Sequence, residues 1–124
     1  MALHNIPPYR QSELWVPTLT GVGNVDDVTL INAFYTVDGN VVTCYVAISV
    51  DPTVGAGEWT VRCSLPVGKS ITDAGQIAGG GGVVGSAGFG AGVIADVANN
   101  EAIISGANGV GTALTASVTF GYQL

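Results

Sequence analysis

Residues 28–50 read VTLINAFYTVDGNVVTCYVAISV. Two runs of β-branched and aromatic residues flank Asp38-Gly39-Asn40, residues that tolerate the positive φ a tight hairpin turn requires. The first run predicts a strand over Val28–Val37, with Val28, Leu30 and Phe34 on one face. The second alternates strictly, Val42, Cys44, Val46, Ile48 and Val50 against Thr43, Tyr45, Ala47 and Ser49, and a period of two is the mark of a strand with one face in the core.

The same pattern extends outward from this hairpin. After Asp51-Pro52-Thr53, residues 58–65 predict a strand with Trp59, Val61, Cys63 and Leu65 inward, closed by Pro66, which cannot donate to a ladder. Residues 79–92, GGGGVVGSAGFGAG, read as a glycine-rich strand pair or loop within the domain, because a linker there would divide it. Strands without side chains let another backbone or subunit come close. Val93–Val97 and Ala102–Ser105 form a further predicted hairpin around Asn99-Asn100. Thr112–Tyr122 alternates again, with Leu114, Ala116, Val118, Phe120 and Tyr122 on one face. With a short strand near Leu14–Leu19 the total is about eight strands, enough for one all-β domain, a jelly-roll-like antiparallel sandwich. The length, 124 residues, suits one such domain.

Residues 1–13 differ from the rest. They hold the only histidine, His4, and the pair Pro7-Pro8, which favours an extended backbone poor in hydrogen bonds. The expected organisation is an arm over 1–13 that packs on something outside its own domain or stays mobile, then a β-domain over 14–124.

Charge carries the first functional inference. Only 12 of 124 residues are charged, against ~25 % in ordinary soluble domains. So much uncharged surface is best covered by other subunits, which predicts a homo-oligomer; the alternative is a monomer coated with Gly, Ser and Thr. The net charge is −6, with Arg10, Arg62 and Lys69 the only Lys or Arg residues. Three scattered cations cannot neutralise a phosphate backbone, so nucleic acid is excluded as a direct partner. The start lacks the basic and apolar regions of a signal peptide. The apolar run Val41–Val50 is half the length that spans a bilayer, so no membrane is expected.

Motifs that bring chemistry fail on their context. Gly80, Gly82 and Gly85 match G-x-G-x-x-G, yet no helix pattern follows to hold a pyrophosphate. Gly68-Lys69-Ser70 resembles the end of a P-loop, but Cys63 stands where its first glycine belongs. His4 lies in the arm, and Cys44 and Cys63 alternate inward as small apolar side chains without zinc-site spacing; their pairing state is open. Asp26, Asp27, Asp51, Glu58, Asp73, Asp96 and Glu101 sit mostly beside turn residues, where acids cap loops. An acid-based glycan hydrolase or a calcium site is the remaining chemical alternative. The expectation is no enzyme, no cofactor and no metal.

Four segments carry a resemblance. W-x-P-T-L-T at Trp15–Thr20, GNVVTCYVAISVDPT at Gly39–Thr53, SLPVGKSIT at Ser64–Thr72 and ADVANNEA at Ala95–Ala102 together resemble a β-rich domain recurrent in tailed-phage and prophage structural proteins. The resemblance spans residues 15 to about 105 and departs from the pattern at Cys44 and in the glycines at 79–82. It implies a virion protein and no catalytic residues. With a short arm and no coiled-coil heptads, the chain reads as a capsid decoration (cement) protein, expected to be a homotrimer bound to the major capsid protein on the outer head surface. The expected docking residues are His4, Ile6, Pro7, Pro8, Tyr9 and Arg10, since aromatic and Arg side chains anchor interfaces. The alternative is a receptor-binding tail or fibre-tip module that recognises host glycan.

Overall fold

The computed structural model describes residues 12–54, 57–84, 90–108 and 112–124. Nine strands are present among them: β1 (Glu13–Leu14), β2 (Leu19–Gly23), β3 (Asp27–Asp38), β4 (Val41–Asp51), β5 (Gly57–Cys63), β6 (Ile77–Val84), β7 (Gly90–Asp96), β8 (Glu101–Asn108) and β9 (Leu114–Gln123). All pairings are antiparallel, and the order is β1-β3-β4-β9-β6-β7-β8-β5-β2. The expected all-β antiparallel domain is therefore present. Its strands are bonded into one curled sheet, a half-barrel, with one strand more than the expected eight because the region around Leu14–Leu19 forms two short strands.

The hairpin of β3 and β4 turns on Gly39-Asn40, with Asp38 opposite Val41. Gly39 has φ +63°, and glycine at the first central position gives a turn whose twist matches that of the flanking strands. Along β4 the predicted inward residues, Val42, Cys44, Val46, Ile48 and Val50, are all buried. β3 departs from the prediction at one residue. The β3–β4 register slips between Leu30 and Asn32, a bulge that reverses the facing of everything beyond it. Val28 and Leu30 pack on the core, but past the bulge Ala33 and Tyr35 take that side, opposite Val46 and Cys44. Phe34 is thereby turned to the outer face, not to the side of Val28 and Leu30.

The core lies within the curl. Trp59, Val61 and Cys63 from β5, Ile104 from β8, Val93 from β7, Ile77 from β6 and Leu114 to Tyr122 in alternation from β9 surround the β4 stripe. The glycines shape this interior. A Cβ at Gly79 would overlap the Thr119 carbonyl oxygen, and one at Gly81 that of Ser117, so β6 lies against β9 more closely than any other residue would permit. Gly106 stands opposite Trp59, and its missing side chain makes room for the indole, whose Cζ2 would lie 2.8 Å from a Cβ there.

One end of the curl is covered by residues 64–76. Ile71 is buried and Leu65 and Val67 pack on the core, while Ile71 N donates to Asn100 Oδ1 at 2.8 Å. Asp73 and Gln76 form a reciprocal cap on a single 3-10 turn over Ala74–Gln76, which satisfies backbone donors that the turn leaves free.

Candidate functional site

The predicted docking residues His4, Ile6, Pro7, Pro8, Tyr9 and Arg10 lie outside the described residues. Of the predicted arm only Ser12 and Glu13 are described, and Glu13 already belongs to the sheet: it pairs with Tyr35 and accepts from the Tyr35 hydroxyl at 3.0 Å. That carboxylate, first of all, raises the Tyr35 phenol pKa above its ordinary value.

The residues most open to chemistry are inert or scattered. Cys44 and Cys63 are both free and buried, and burial pushes each thiol up to about 12; a protonated thiol is neither nucleophile nor ligand at neutral pH. Asp27 stands opposite Asp51, with Asp26 beside them accepting from Thr53 Oγ1 at 2.8 Å. Asp96 stands opposite Glu101 at the other end of the strands. Among the described residues no three His, Cys, Asp or Glu side chains converge as a metal site. No helix among them is long and apolar enough to cross a membrane.

The outer face of the sheet is different in kind. Following the register from edge to edge, Leu14, Phe34, Tyr45, Thr119, Gly80, Gly92, Ser105 and Thr60 form one row across eight strands. No member of that row is charged. The neighbouring positions are Thr36, Thr43, Gly121, Ala78 and Ile94 on one side and Asn32, Ala47, Ser117 and Gly82 on the other. Charged side chains stay at strand ends and on the β5–β8 flank, where Arg62 Nε lies 3.5 Å from Glu101 Oε1.

At the β1–β3 edge this face becomes strongly apolar. The Phe34 and Tyr45 rings stack with centroids 4.9 Å apart and planes at 23°. With Thr36, Thr43, Cys44 and Thr119 they line a shallow depression of about 280 Å3. Beside it Leu14 is 82 % exposed, Val16 85 % and Ile31 56 %. Ile31 is the residue that the bulge extrudes, and Val16 follows Trp15, whose N–H bonds the Ala33 carbonyl. A second depression, of about 300 Å3 between β2 and β3, is lined by Leu19, Gly21, Val25, Asp26, Asp27 and Val28.

Sequence reasoning missed this apolar edge, although a signal was present. Leu30 and Ile31 are adjacent apolar residues, and the apolar parity shifts from even numbers at Val28 and Leu30 to odd at Ala33 and Tyr35, which is how a bulge appears in a sequence. Compared with protein-family models, curated proteins and solved structures, the chain matches none.

Proposed function

We propose that this chain is a phage virion structural protein, a trimeric capsid decoration (cement) protein that binds the major capsid protein on the outer head surface and stabilises the shell. The observation that carries the proposal is the uncharged outer face, from the exposed Leu14, Val16 and Ile31 to the glycines of β6 and β7. A surface of this kind suits contact with neighbouring subunits more than permanent exposure to water. Further support comes from the resemblance of residues 15–105 to the phage β-domain and from the shortage of cations. A jelly-roll-like closure, with the halves of the curled sheet packed as the layers of a sandwich, belongs to the same proposal.

The mechanism is one of mass action. A protein that binds the assembled lattice, and not its expanded or dissociated forms, shifts the equilibrium toward the intact head. Three chains held together engage several capsid subunits at once, so individually weak contacts reinforce one another. In this scheme His4, Ile6, Pro7, Pro8, Tyr9 and Arg10 dock on the shell. The decisive experiment removes residues 1–11, sparing the Glu13 bond to Tyr35, and measures co-sedimentation with heads of the phage that encodes the chain. A folded variant that no longer sediments with heads supports the proposal; undiminished binding sinks the arm's role, and failure of the intact chain to bind heads sinks the whole.

One observation favours a second reading, a receptor-binding tail or fibre tip. The Phe34–Tyr45 stack ringed by the hydroxyls of Thr36, Thr43 and Thr119 offers an aromatic and polar surface of the sort that sugar rings occupy. Copy number in purified particles separates the two readings: a number that scales with the head lattice supports decoration, whereas a handful per particle supports the tail.

A further inference from the structure

The glycines of the outer face fall into two groups. Gly79, Gly81 and Gly106 are demanded by the fold, since a Cβ at each meets a neighbour at 2.8 Å or closer. Gly82 and Gly92 are not: an added Cβ meets nothing within 4 Å at either, and neither has a positive φ. Glycine within a strand destabilises it relative to alanine, and where internal packing does not call for it, close approach of an outside surface does. Both positions lie on the outer face, opposite Gly90 and Gly80 respectively.

The same chain carries the counterpart, the projecting apolar edge of Leu14, Val16, Ile31 and Phe34. The strand order sets β4 and β9 between that edge and the β6–β7 glycines, and the curl of the sheet turns the two facets in different directions. One neighbour therefore cannot cover both. From this arrangement we infer that copies associate head to tail, the Leu14–Phe34 edge of one seated on the Gly82–Gly92 facet of the next, and that the chain of contacts closes into a ring.

Two arguments identify the occupant as another copy. The first is charge. Copies of a chain with net charge −6 repel one another wherever their acids meet, and the face between the charged strand ends is where that repulsion is least. A basic partner would find no carboxylates there to pair with. The second is area. Three strands ~4.8 Å apart and about eight residues at ~3.4 Å each give a facet of about 400 Å2. A single contact of that size is weak, but a ring gives every copy two, about 800 Å2 in all, the usual scale for one partner in a specific interface. Heterologous contacts that close are what produce such rings. This inference rests on the homo-oligomeric part of the proposed function and assigns its surfaces.

Analytical ultracentrifugation of the full chain tests it, with Leu14→Asp/Val16→Asp on the projecting edge, Gly92→Glu on the receiving facet and Val54→Asp, 58 % exposed in the loop after β4, as the control. Circular dichroism and thermal melts verify folding; the altered side chains are exposed or enter open space. The wild type and the Val54 variant are expected at three times the 12.4 kDa chain mass, and each facet variant at the mass of one chain. Mixing the two facet variants is diagnostic. Each retains the facet the other has lost, so a head-to-tail contact yields a dimer of one copy of each and no trimer. Two facet variants that stay single when mixed overturn the head-to-tail arrangement, and facet variants that remain trimeric overturn the surface assignment. A wild type that is a single chain at 100 µM overturns self-association. Head co-sedimentation of the same proteins is the separate readout of the decoration proposal, which survives if heads are bound in any of these cases.

Discussion

The Tyr122 hydroxyl donates to the Val67 carbonyl at 2.6 Å and accepts from the Val67 amide at 3.2 Å. Fifty-five residues separate the two in sequence, and this reciprocal pair ties the loop over residues 64–76 to the last strand. Burial pushes the phenol up to about 12, against the lowering effect of its bond to Val67. Replacing Tyr122 by Phe keeps the ring and leaves both Val67 groups without their partner. The expected loss is about 1–3 kcal/mol in urea unfolding, with faster hydrogen exchange across residues 64–71 than elsewhere.

Gly81 and Gly92 separate the two uses of glycine. Gly81→Ala drives a methyl group into the Ser117 carbonyl and must part β6 from β9, at a cost expected to exceed about 2 kcal/mol. Gly92→Ala enters open space, and with less chain entropy to lose it is expected to be neutral or to stabilise by up to about 1 kcal/mol. Urea midpoints of both variants decide the matter, and equal destabilisation would count against the open space at Gly92.

Trp59 fills the hollow left by Gly106, is fully buried, and has no acceptor for its indole N–H. Trp59→Phe therefore loses packing and no hydrogen bond. A cost of about 1–3 kcal/mol is expected, and Trp59→Phe combined with Gly106→Ala should cost less than the sum of the two single changes, since the methyl group occupies part of the vacated space. A double-mutant cycle measures that coupling.

Cys44, Cys63 and Tyr122 set the alkaline limit. Their ordinary values are 9.0 for the thiols and 10.0 for the phenol, and each is raised to about 12 in the fold, chiefly by burial. Folded protein thus holds these protons more tightly than unfolded chain, so stability contributed by them is complete below pH 9 and falls as pH rises toward 12. Denaturant midpoints should be insensitive to these groups up to about pH 8.5 and decline above it. In Cys44→Ala/Cys63→Ala the decline contributed by Tyr122 should begin about one pH unit later; an unchanged onset would show that the thiols do not govern it.

Much of the fold was legible because strand burial imposes a period of two. The core stripes of β4, β5 and β9 could be read off Val42–Val50, Trp59–Cys63 and Leu114–Tyr122, and they are buried as expected. The hairpin turn at Gly39 announced itself through residues suited to positive φ. Phe34 was misassigned because alternation carries no record of an inserted residue: one bulge at Ile31 reverses every facing after it. The apolar edge was missed for the same reason. The expected docking residues of the arm lie outside the described residues, so the fold neither adds to nor subtracts from them.

Taken alone, the amino-acid order determined that this is an antiparallel β-domain, poor in charge, with turns at Gly39 and around Asn100, since all of these depend on local chemistry and on alternation within a strand. Which strands neighbour which was decided only by the tertiary structure. The pairing of β4 with β9 joins residues some seventy positions apart, and the interposition of β9 before β6 depends on how closely the backbone of Gly79 and Gly81 approaches that of Ser117 and Thr119. A glycine in a sequence shows only that no side chain is present; whether a neighbouring strand fills the space or the space stands open to solvent depends on atoms far away along the chain.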